Sequence, residues 1–242
     1  MSEIIRIELE GHRFYRRKEE PETHNRPSVT NVLGNWVPPH LKRWFIAKSA
    51  SEIDKKSDST AKIGSGGHSI VEGLQAGKTP LKTPENEAFY DSFVSRWGTL
   101  VDQYQIEPIR QEFMVVSDTF GFGGQVDAAV NFTDNKGQRK RYIVDLKTGS
   151  TANAGCQLGA YLLAYMETQT EPCGIACFQL HRDGRAPKAI FYHDPYFWAE
   201  QFVGLLPRWR SDNYQSLKAM KWKWLDAPFL ESICELKRKA KT

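Results

Sequence analysis

The chain has 242 residues, 40% of them hydrophobic and 26% charged, and its formal net charge is +4 at pH 7. This length and composition are typical of a folded globular protein and exclude a chain that is mostly disordered. No apolar run reaches the length of a membrane span, so we expect no membrane partner. The mild positive charge permits a polyanionic ligand but does not by itself require one.

The N-terminal segment, residues 1–11, carries acidic side chains early and contains no long apolar stretch. That pattern is typical neither of a secretory signal nor of an Arg-rich transit peptide, so we expect a cytoplasmic protein. The four cysteines form no paired C-x-x-C motifs: they are Cys156, Cys173, Cys177 and Cys234. We therefore expect free thiols in a reducing compartment and no structural zinc site.

Two short strands and a helix are predicted at the start of the chain. The strands lie within residues 3–17, and a charged, Pro-containing loop follows over residues 18–27. Ser28 is expected to cap the helix, which Pro38 and Pro39 interrupt.

Three further helices are predicted before residue 105. The first is amphipathic and covers residues 40–56, and the second covers residues 68–77 after the glycine-rich stretch 64–67. Thr83 is expected to cap the third, with Pro84 at its first position. In that helix, large apolar side chains recur every three to four residues, as a buried stripe requires.

From residue 106 onward the pattern changes to strands that alternate with helices. The predicted order is three strands (107–118, 122–132, 138–148), a helix (153–168), two strands (174–182, 188–194) and a helix from Pro195 to Trp209. This order predicts an α/β fold with a mixed central sheet flanked by helices. We expect one domain with three parts: mostly helical 1–105, a sheet core 106–194, and a helical, basic part 195–242.

Two carboxylates are predicted to meet at the edge of this sheet. Asp145 and Lys147 lie two residues apart in one strand, so their side chains share a face, which an ordinary surface ion pair would also explain. Asp127 lies in the preceding strand, and the intervening turn makes the two strands antiparallel neighbours. Adjacent anions repel unless a cation joins them, and oxygen ligands favour Mg²⁺ or Mn²⁺.

The spacing of these residues resembles the PD-(D/E)XK nuclease superfamily, with Asp127 as the first acid and Asp145-Leu146-Lys147 as the D-x-K motif. Other motifs follow the order of its RecB-like exonuclease branch, which includes small exonucleases of mitochondria and phages. These motifs are Pro27-Ser28-Val29-Thr30, Gly64 to His68, Glu112, Gly124 to Asp127, Asp145 to Gly149, and Gln157 to Tyr161. The resemblance implies a restriction-endonuclease-like core and hydrolysis of phosphodiester bonds with Mg²⁺ or Mn²⁺.

The resemblance also implies roles for individual residues. The implied metal ligands are His68, Asp127, Asp145 and the main-chain carbonyl of Leu146. An iron–sulfur cluster is not expected, because all four cysteines follow Lys147, whereas relatives with a cluster carry one cysteine well before the core.

The remaining implied roles concern water, phosphate and the packing of one helix. Lys147 would position the attacking water and stabilise charge on the phosphate. Glu112 would lie near the metal, although an exposed strand residue is an equal alternative. Gln157 and Tyr161 share one helix face and would hold that helix against the site or contact a phosphate. Tyr161 has the alternative of being an ordinary core residue. His68 has the alternative of being a polar residue at the start of a helix.

Basic side chains are candidates for nucleic-acid contacts, since cations bind phosphates and aromatic faces stack on unpaired bases. The candidates are Arg139, Lys140, Arg141, Lys42, Arg43, Trp222 and Lys223. A solvated charged face over core tryptophans is the alternative for the C-terminal pair.

These expectations combine into a metal-dependent DNA exonuclease that prefers free or single-stranded ends. The resemblance implies work in recombination, repair or replication, in a bacterium or a phage-infected host, with the mitochondrial matrix as an open alternative. A recombinase, a helicase or a single-strand-binding protein is a candidate partner. A structure-specific endonuclease, a catalytically inactive nucleic-acid-binding protein and an RNA substrate remain alternatives.

Overall fold

The computed structural model describes residues 2–9, 11–34, 50–134, 136–169, 173–181 and 185–224, with the backbone alone for residues 50–62. Most of the helix predicted over residues 40–56 lies outside these ranges. Lys42, Arg43 and Cys234 lie outside them as well.

The described residues contain eight strands, which form two sheets. The strands are β1 (Ile4–Leu9), β2 (His12–Arg17), β3 (Arg26–Pro27), β4 (Glu107–Ser117), β5 (Phe122–Thr133), β6 (Arg139–Lys147), β7 (Gly174–Gln179) and β8 (Lys188–Tyr192). β1, β2 and β3 form a small antiparallel sheet, and the other five form the central sheet in the order β4-β5-β6-β7-β8. All neighbours in the central sheet are antiparallel except β6 and β7.

Within the described part of the chain, seven α-helices lie around the central sheet. They are α1 (Val29–Gly34), α2 (Ala50–Gln75), α3 (Glu87–Tyr104), α4 (Ala154–Met166), α5 (Pro195–Val203), α6 (Leu206–Asp212) and α7 (Tyr214–Ala219). α4 provides the crossover that the parallel pair of β6 and β7 needs. The predicted mixed α/β fold is confirmed.

The core lies on both faces of the central sheet. One buried cluster joins α4, α5 and α1 to side chains such as Ile143 and Ile175, and the other joins α2 and α3 to side chains such as Val144 and Phe178. Because both faces are covered, the central strands are almost continuously buried.

Several predicted boundaries are confirmed and others are wrong. Ser28 Oγ accepts a hydrogen bond from Asn31 N at 3.0 Å, which is the expected cap of α1. The predicted loop over residues 18–27 contains β3 and a 3₁₀ turn, Glu22–His24. Helix α3 begins only at Glu87, three residues after Pro84, the expected first position, and its N-cap is Asn86 rather than Thr83.

The two largest corrections concern helices. The glycines at 64–67 lie inside α2 rather than in a loop before it. The helix predicted from Pro195 to Trp209 is two helices that meet at Gly204 and Leu205. Pro207 explains this break, because it has no N–H to donate four residues back to the carbonyl of Val203. Helix α7 lies in the part that was expected to be helical, residues 195–242, although no separate helix was predicted there. Among the described residues, no helix combines the length and the apolarity that crossing a bilayer requires.

A buried arginine joins the small sheet to the central one. The side chain of Arg26 is fully buried, and its guanidinium donates to both carboxylate oxygens of Glu20 at 2.6 and 2.9 Å. It also donates to Asp118, in the turn between β4 and β5, at 2.5 Å. The ring of Trp224 lies 4.7 Å from Arg26 Cζ, and Trp224 Nε1 donates to Asp118 O. The network therefore links the N-terminal hairpin, the central sheet and residue 224.

The same network lowers the pKa of Glu20. Burial alone would raise this pKa, but hydrogen bonds and charge from Arg26 and Arg17 outweigh burial and lower it from 4.5 to about 2. Because the ionised form is the one that the fold stabilises, this contribution is complete above about pH 4.5. It is lost as the pH falls toward 2.

We expect Glu20→Gln to remove much of the acid sensitivity of folding. At neutral pH the variant should be less stable than wild type by roughly 1.5–3 kcal/mol, the usual contribution of hydrogen bonds to a charged group. The difference should shrink as the pH falls from 4.5 toward 2. Urea denaturation at a series of pH values measures this, with the exposed Glu87→Gln as control. A difference that is constant with pH would contradict the assignment.

Candidate metal centre

The site lies where β5 and β6 separate. Their ladder ends with the pair Ala128 and Val144, so Asp127 and Asp145 face each other in register one step further along. At this point the side chain of Asp127 takes the place of a main-chain acceptor on β5: its Oδ2 accepts a hydrogen bond from the main-chain N–H of Leu146 at 2.7 Å. The predicted meeting of the two acids at a sheet edge is thus what the backbone provides.

Three side chains form one cluster of metal-binding type. One ligand atom each from His68, Glu112 and Asp127 lies within 4.8 Å of the others. His68 Nδ1 is 3.5 Å from Asp127 Oδ2, and His68 Nε2 is 3.0 Å from the carbonyl oxygen of Leu146. These residues border a cavity of about 20 Å³, which is room for one water-sized ligand.

Glu112 reaches this cluster through an unusual backbone conformation. Its φ of 42° lies in the left-handed region, which a non-glycine residue inside a strand rarely adopts. The register of β4 and β5 places Glu112 opposite Asp127, and Gln125 Nε2 donates to Glu112 Oε2 at 2.6 Å. Strain of this kind persists only where surrounding structure enforces it, and it concentrates at functional sites.

The second acid belongs to a hydrogen-bonded network on the α4 side. Asp145 is 2% exposed, and its Oδ1 accepts from Gln157 Nε2 at 2.9 Å. Lys147 Nζ lies 2.8 Å from Asp145 Oδ2 and donates to Gln157 Oε1 at 3.0 Å. Gln157 Nε2 also lies 3.1 Å from Tyr161 Oη, so this amide positions the acid, the lysine and the tyrosine together.

Negative charge is concentrated where the His68 cluster meets the Asp145 network. Burial, followed by the nearby charge of Asp145, raises the pKa of Asp127 well above its ordinary value. Burial also raises the pKa of Glu112, against the hydrogen bond from Gln125. Burial would lower the pKa of Lys147, but the charge of Asp145 outweighs it and raises that pKa. Lys147 is therefore a cation at neutral pH.

These donors fit a divalent metal ion. They comprise an imidazole nitrogen and carboxylate oxygens, with the carbonyl of Leu146 beside them. Asp145 Oδ2 is buried and makes no directed hydrogen bond, although Lys147 Nζ is near. Hard oxygen donors with unneutralised negative charge favour Mg²⁺ or Mn²⁺. Of the predicted ligands, His68 and Asp127 meet in the cluster with Glu112, whereas Asp145 lies beside it in the lysine network.

Glycines bring the helices close enough for these contacts. A Cβ on Gly67 would lie 2.5 Å from Phe93 Cε2 and 3.0 Å from Thr148 Cγ2, so α2 can cross here only without a side chain. Gly124 has the same function at Tyr161, whose Cε1 would lie 2.4 Å from an added Cβ. The sequence pattern placed the 64–67 glycines before a helix and did not predict that α2 would be continuous through them.

Two residues near the cluster were not predicted. Glu72 lies one helical turn after His68 and borders the same cavity. Its signal in the sequence is the four-residue spacing from His68, which places both on one helix face. Gln125 was unrecognised because its partner Glu112 lies on another strand.

Three of the predicted nucleic-acid contacts, Arg139, Lys140 and Arg141, do not lie at the site. Arg139 forms an ion pair with Glu107 at 2.7 Å, and it lies six residues from Asp145, about 20 Å along β6. Lys140 and Arg141 lie at that same far end of the strand.

The C-terminal part of that prediction divides in two. Trp222 is 4% exposed and donates its indole N–H to Asn25 O at 2.9 Å, so a base-stacking function for Trp222 is wrong. The solvated-face alternative explains it, because Trp222 belongs to the core beneath charged neighbours. Lys223 is exposed, with its Nζ 5.3 Å from the ring of Trp224. Lys42 and Arg43 lie outside the described residues.

Comparison with known proteins adds one result. The sequence profile of the PD-(D/E)XK nuclease superfamily matches residues 85–227, more than half of the chain. The matched range includes both acids and Lys147, and it extends beyond Tyr161, where the last of the sequence motifs ends. No curated protein matches the chain.

We expect Gly67→Ala to destabilise the protein, by about 1–3 kcal/mol, because the new methyl group collides with Phe93 and Thr148. Gly64→Ala is the matched control in the same helix: its Cβ would meet only Thr148 Oγ1, at 3.8 Å. That variant should gain up to about 1 kcal/mol from the better helix propensity of alanine. Chemical denaturation of both proteins measures the difference, and equal effects would contradict the close crossing.

We expect Mg²⁺ or Mn²⁺ to raise the unfolding temperature, because a cation neutralises Asp127 and Glu112. At 100 times the dissociation constant, the gain in stability is about 2.7 kcal/mol. Asp127→Asn should lose most of this gain, and the exposed Asp102→Asn should keep it. Thermal unfolding with and without the ion measures this. An equal response of all three proteins would show that the ion binds elsewhere.

Proposed function

The chain belongs to the PD-(D/E)XK nuclease superfamily, and on this premise we propose that it is a Mg²⁺- or Mn²⁺-dependent DNA exonuclease. The observation that carries the proposal is that Asp127, Asp145 and Lys147 meet at one sheet edge, beside a cluster that suits a divalent ion. A surface ion pair would not bury Asp145 to 2% exposure or orient Lys147 through a glutamine.

The residues of the site suit hydrolysis of a phosphodiester. His68, Glu112, Asp127 and the carbonyl of Leu146 would hold the ion, with Asp145 beside them. A bound divalent ion supplies positive charge to the phosphoryl oxygens and makes water a better nucleophile at neutral pH. In the overall reaction, a bond forms between the water oxygen and phosphorus, and the bond to the leaving 3′ oxygen breaks. The 3′ oxygen takes up a proton and becomes a hydroxyl group, and the phosphate stays on the 5′ oxygen of the next nucleotide.

Lys147 is placed to stabilise this reaction directly. Its ammonium carries three hydrogens; one is donated to Gln157 Oε1, and Asp145 Oδ2 lies 2.8 Å from Nζ as the counter-ion. A further hydrogen is available for a phosphate oxygen or for the attacking water. A fixed, desolvated cation stabilises developing negative charge more strongly than a mobile one in water.

The preference for free or single-stranded ends is supported by the ordered motifs of the RecB-like branch. The same motifs support a function in recombination, repair or replication, in the cytoplasm. We keep the structure-specific endonuclease as an outcome of the experiment, because the same residues would cut an internal phosphodiester.

We expect metal-dependent cleavage of linear DNA that Asp145→Asn and Lys147→Ala each reduce at least about 100-fold, as loss of a preorganised charge does. End-labelled linear DNA and closed circular DNA, both single- and double-stranded, should be compared in Mg²⁺, Mn²⁺ and EDTA. Loss of linear DNA alone would support the exonuclease, and the label would give its polarity.

Asp102→Asn and Lys136→Ala are the matched controls, since both residues are exposed and lie outside the site. They should keep wild-type activity. Cleavage of circles would favour the endonuclease. Binding without cleavage in wild type and variants alike, on DNA and on RNA, would favour an inactive binding protein.

A further inference from the structure

Two open grooves flank the metal cluster. The first, here called the helix groove, has a volume of about 920 Å³ and lies between α2 and residues 78–86; Ser65, Ser69, Glu72, Lys78 and Gln111 are among its lining residues. The second, here called the edge groove, has a volume of about 610 Å³ and follows the outer edge of β4. Its lining includes Arg110, Gln111, Glu112 and Thr168.

The two grooves meet at the metal cluster. Gln111 lines both of them. Glu72 lines the helix groove and also the small cavity beside His68, whereas Glu112 lines that cavity and the edge groove. A ligand that follows β4 would therefore pass from one groove into the other across the cluster.

Each groove presents one exposed cation. Lys78 is exposed in the helix groove and Arg110 in the edge groove, and within the described ranges neither forms an ion pair with a carboxylate. The guanidinium of Arg110 lies over the ring of Phe113, with its Cζ 4.5 Å from the centroid, which leaves its N–H groups free for an anion. Lys78 follows the end of α2, where Gly77, with a φ of 68°, closes the helix.

The order of charges along this path fits a phosphodiester chain. A cation stands in each groove, and the acids Glu72 and Glu112 stand between them, where a divalent ion would neutralise them. Glu85 adds one further carboxylate to the helix groove, and Glu3, which Lys18 pairs at 2.8 Å, adds one to the edge groove. Hydroxyl groups of Ser65 and Ser69 offer additional donors to phosphate and sugar oxygens.

We propose that a single DNA strand lies along β4 through both grooves, with a phosphate at Lys78 on one side of the cleaved bond and a phosphate at Arg110 on the other. The two cations lie along one path and can bind the phosphates of one strand, so the path selects single-stranded DNA over a duplex. Since nucleotides are bound on both sides of the bond, cleavage releases oligonucleotides rather than mononucleotides. This inference rests on the proposed nuclease function.

Two measurements test the path. Single-stranded DNA labelled at either end should give short oligonucleotides as the first products. In binding experiments with Asp145→Asn protein, Lys78→Gln and Arg110→Gln should each weaken single-strand affinity about 10-fold, the effect of losing one charge-assisted hydrogen bond. Each should also reduce the slope of log affinity against log salt by about 0.7, which is the signature of one lost phosphate contact on a single strand. Lys136→Gln, in the distant turn between β5 and β6, should change neither quantity.

The outcomes separate this inference from the nuclease function. Absence of cleavage on every DNA in Mg²⁺ and Mn²⁺ would overturn the function, while the salt slopes would still test the path. Cleavage that releases mononucleotides first, or unchanged salt slopes in both variants, would overturn the path and leave the function standing. Equal affinity for duplex, with equal losses in the two variants, would overturn the selection of a single strand.

Discussion

Two carboxylates on neighbouring strands, Asp127 and Asp145, impose the main constraint on this molecule. Holding like charges together in a largely buried place costs free energy, and it raises the pKa of Asp127. Each acid is nevertheless held by donors of the chain itself, Asp127 by a main-chain N–H and Asp145 by an amide and an ammonium group. These donors reduce the free-energy cost only in part. A bound cation would remove the rest, and this favours cation binding at the site.

The helices on the two faces of the sheet make different contributions to this edge. From one face, α2 delivers His68, and it can do so only because Gly67 lets its backbone cross close to Phe93 and Thr148. From the other face, α4 delivers Gln157, which fixes both the acid and the lysine. The sheet places the charges and the helices determine their orientation, so substitutions far from the acids can disturb the site through the helix packing.

Local pattern was enough to predict β4 to β8 and α4, because apolar periodicity and turn residues act over short distances. Asp127, Asp145 and Lys147 could be placed together because one tight turn joins their strands. Contacts that depend on distant packing were not visible. Position 67 lies inside a helix and is a glycine because Phe93 occupies the space that a Cβ would need. Glycine by itself predicts a loop. Trp222 is core, although cations alternating with aromatics have the same pattern on a binding surface.

The single parallel pair among the described strands, β6 with β7, has a consequence for folding kinetics. The antiparallel meander from β4 to β6 is local in sequence, whereas β7 pairs only after the crossover through α4 closes a longer loop. The meander is therefore expected to form first and to bring Asp127 and Asp145 together before Gln157 arrives. During that interval the two acids repel each other without the partner from α4. A divalent ion present in the refolding buffer is then expected to accelerate folding, and not only to stabilise the folded state.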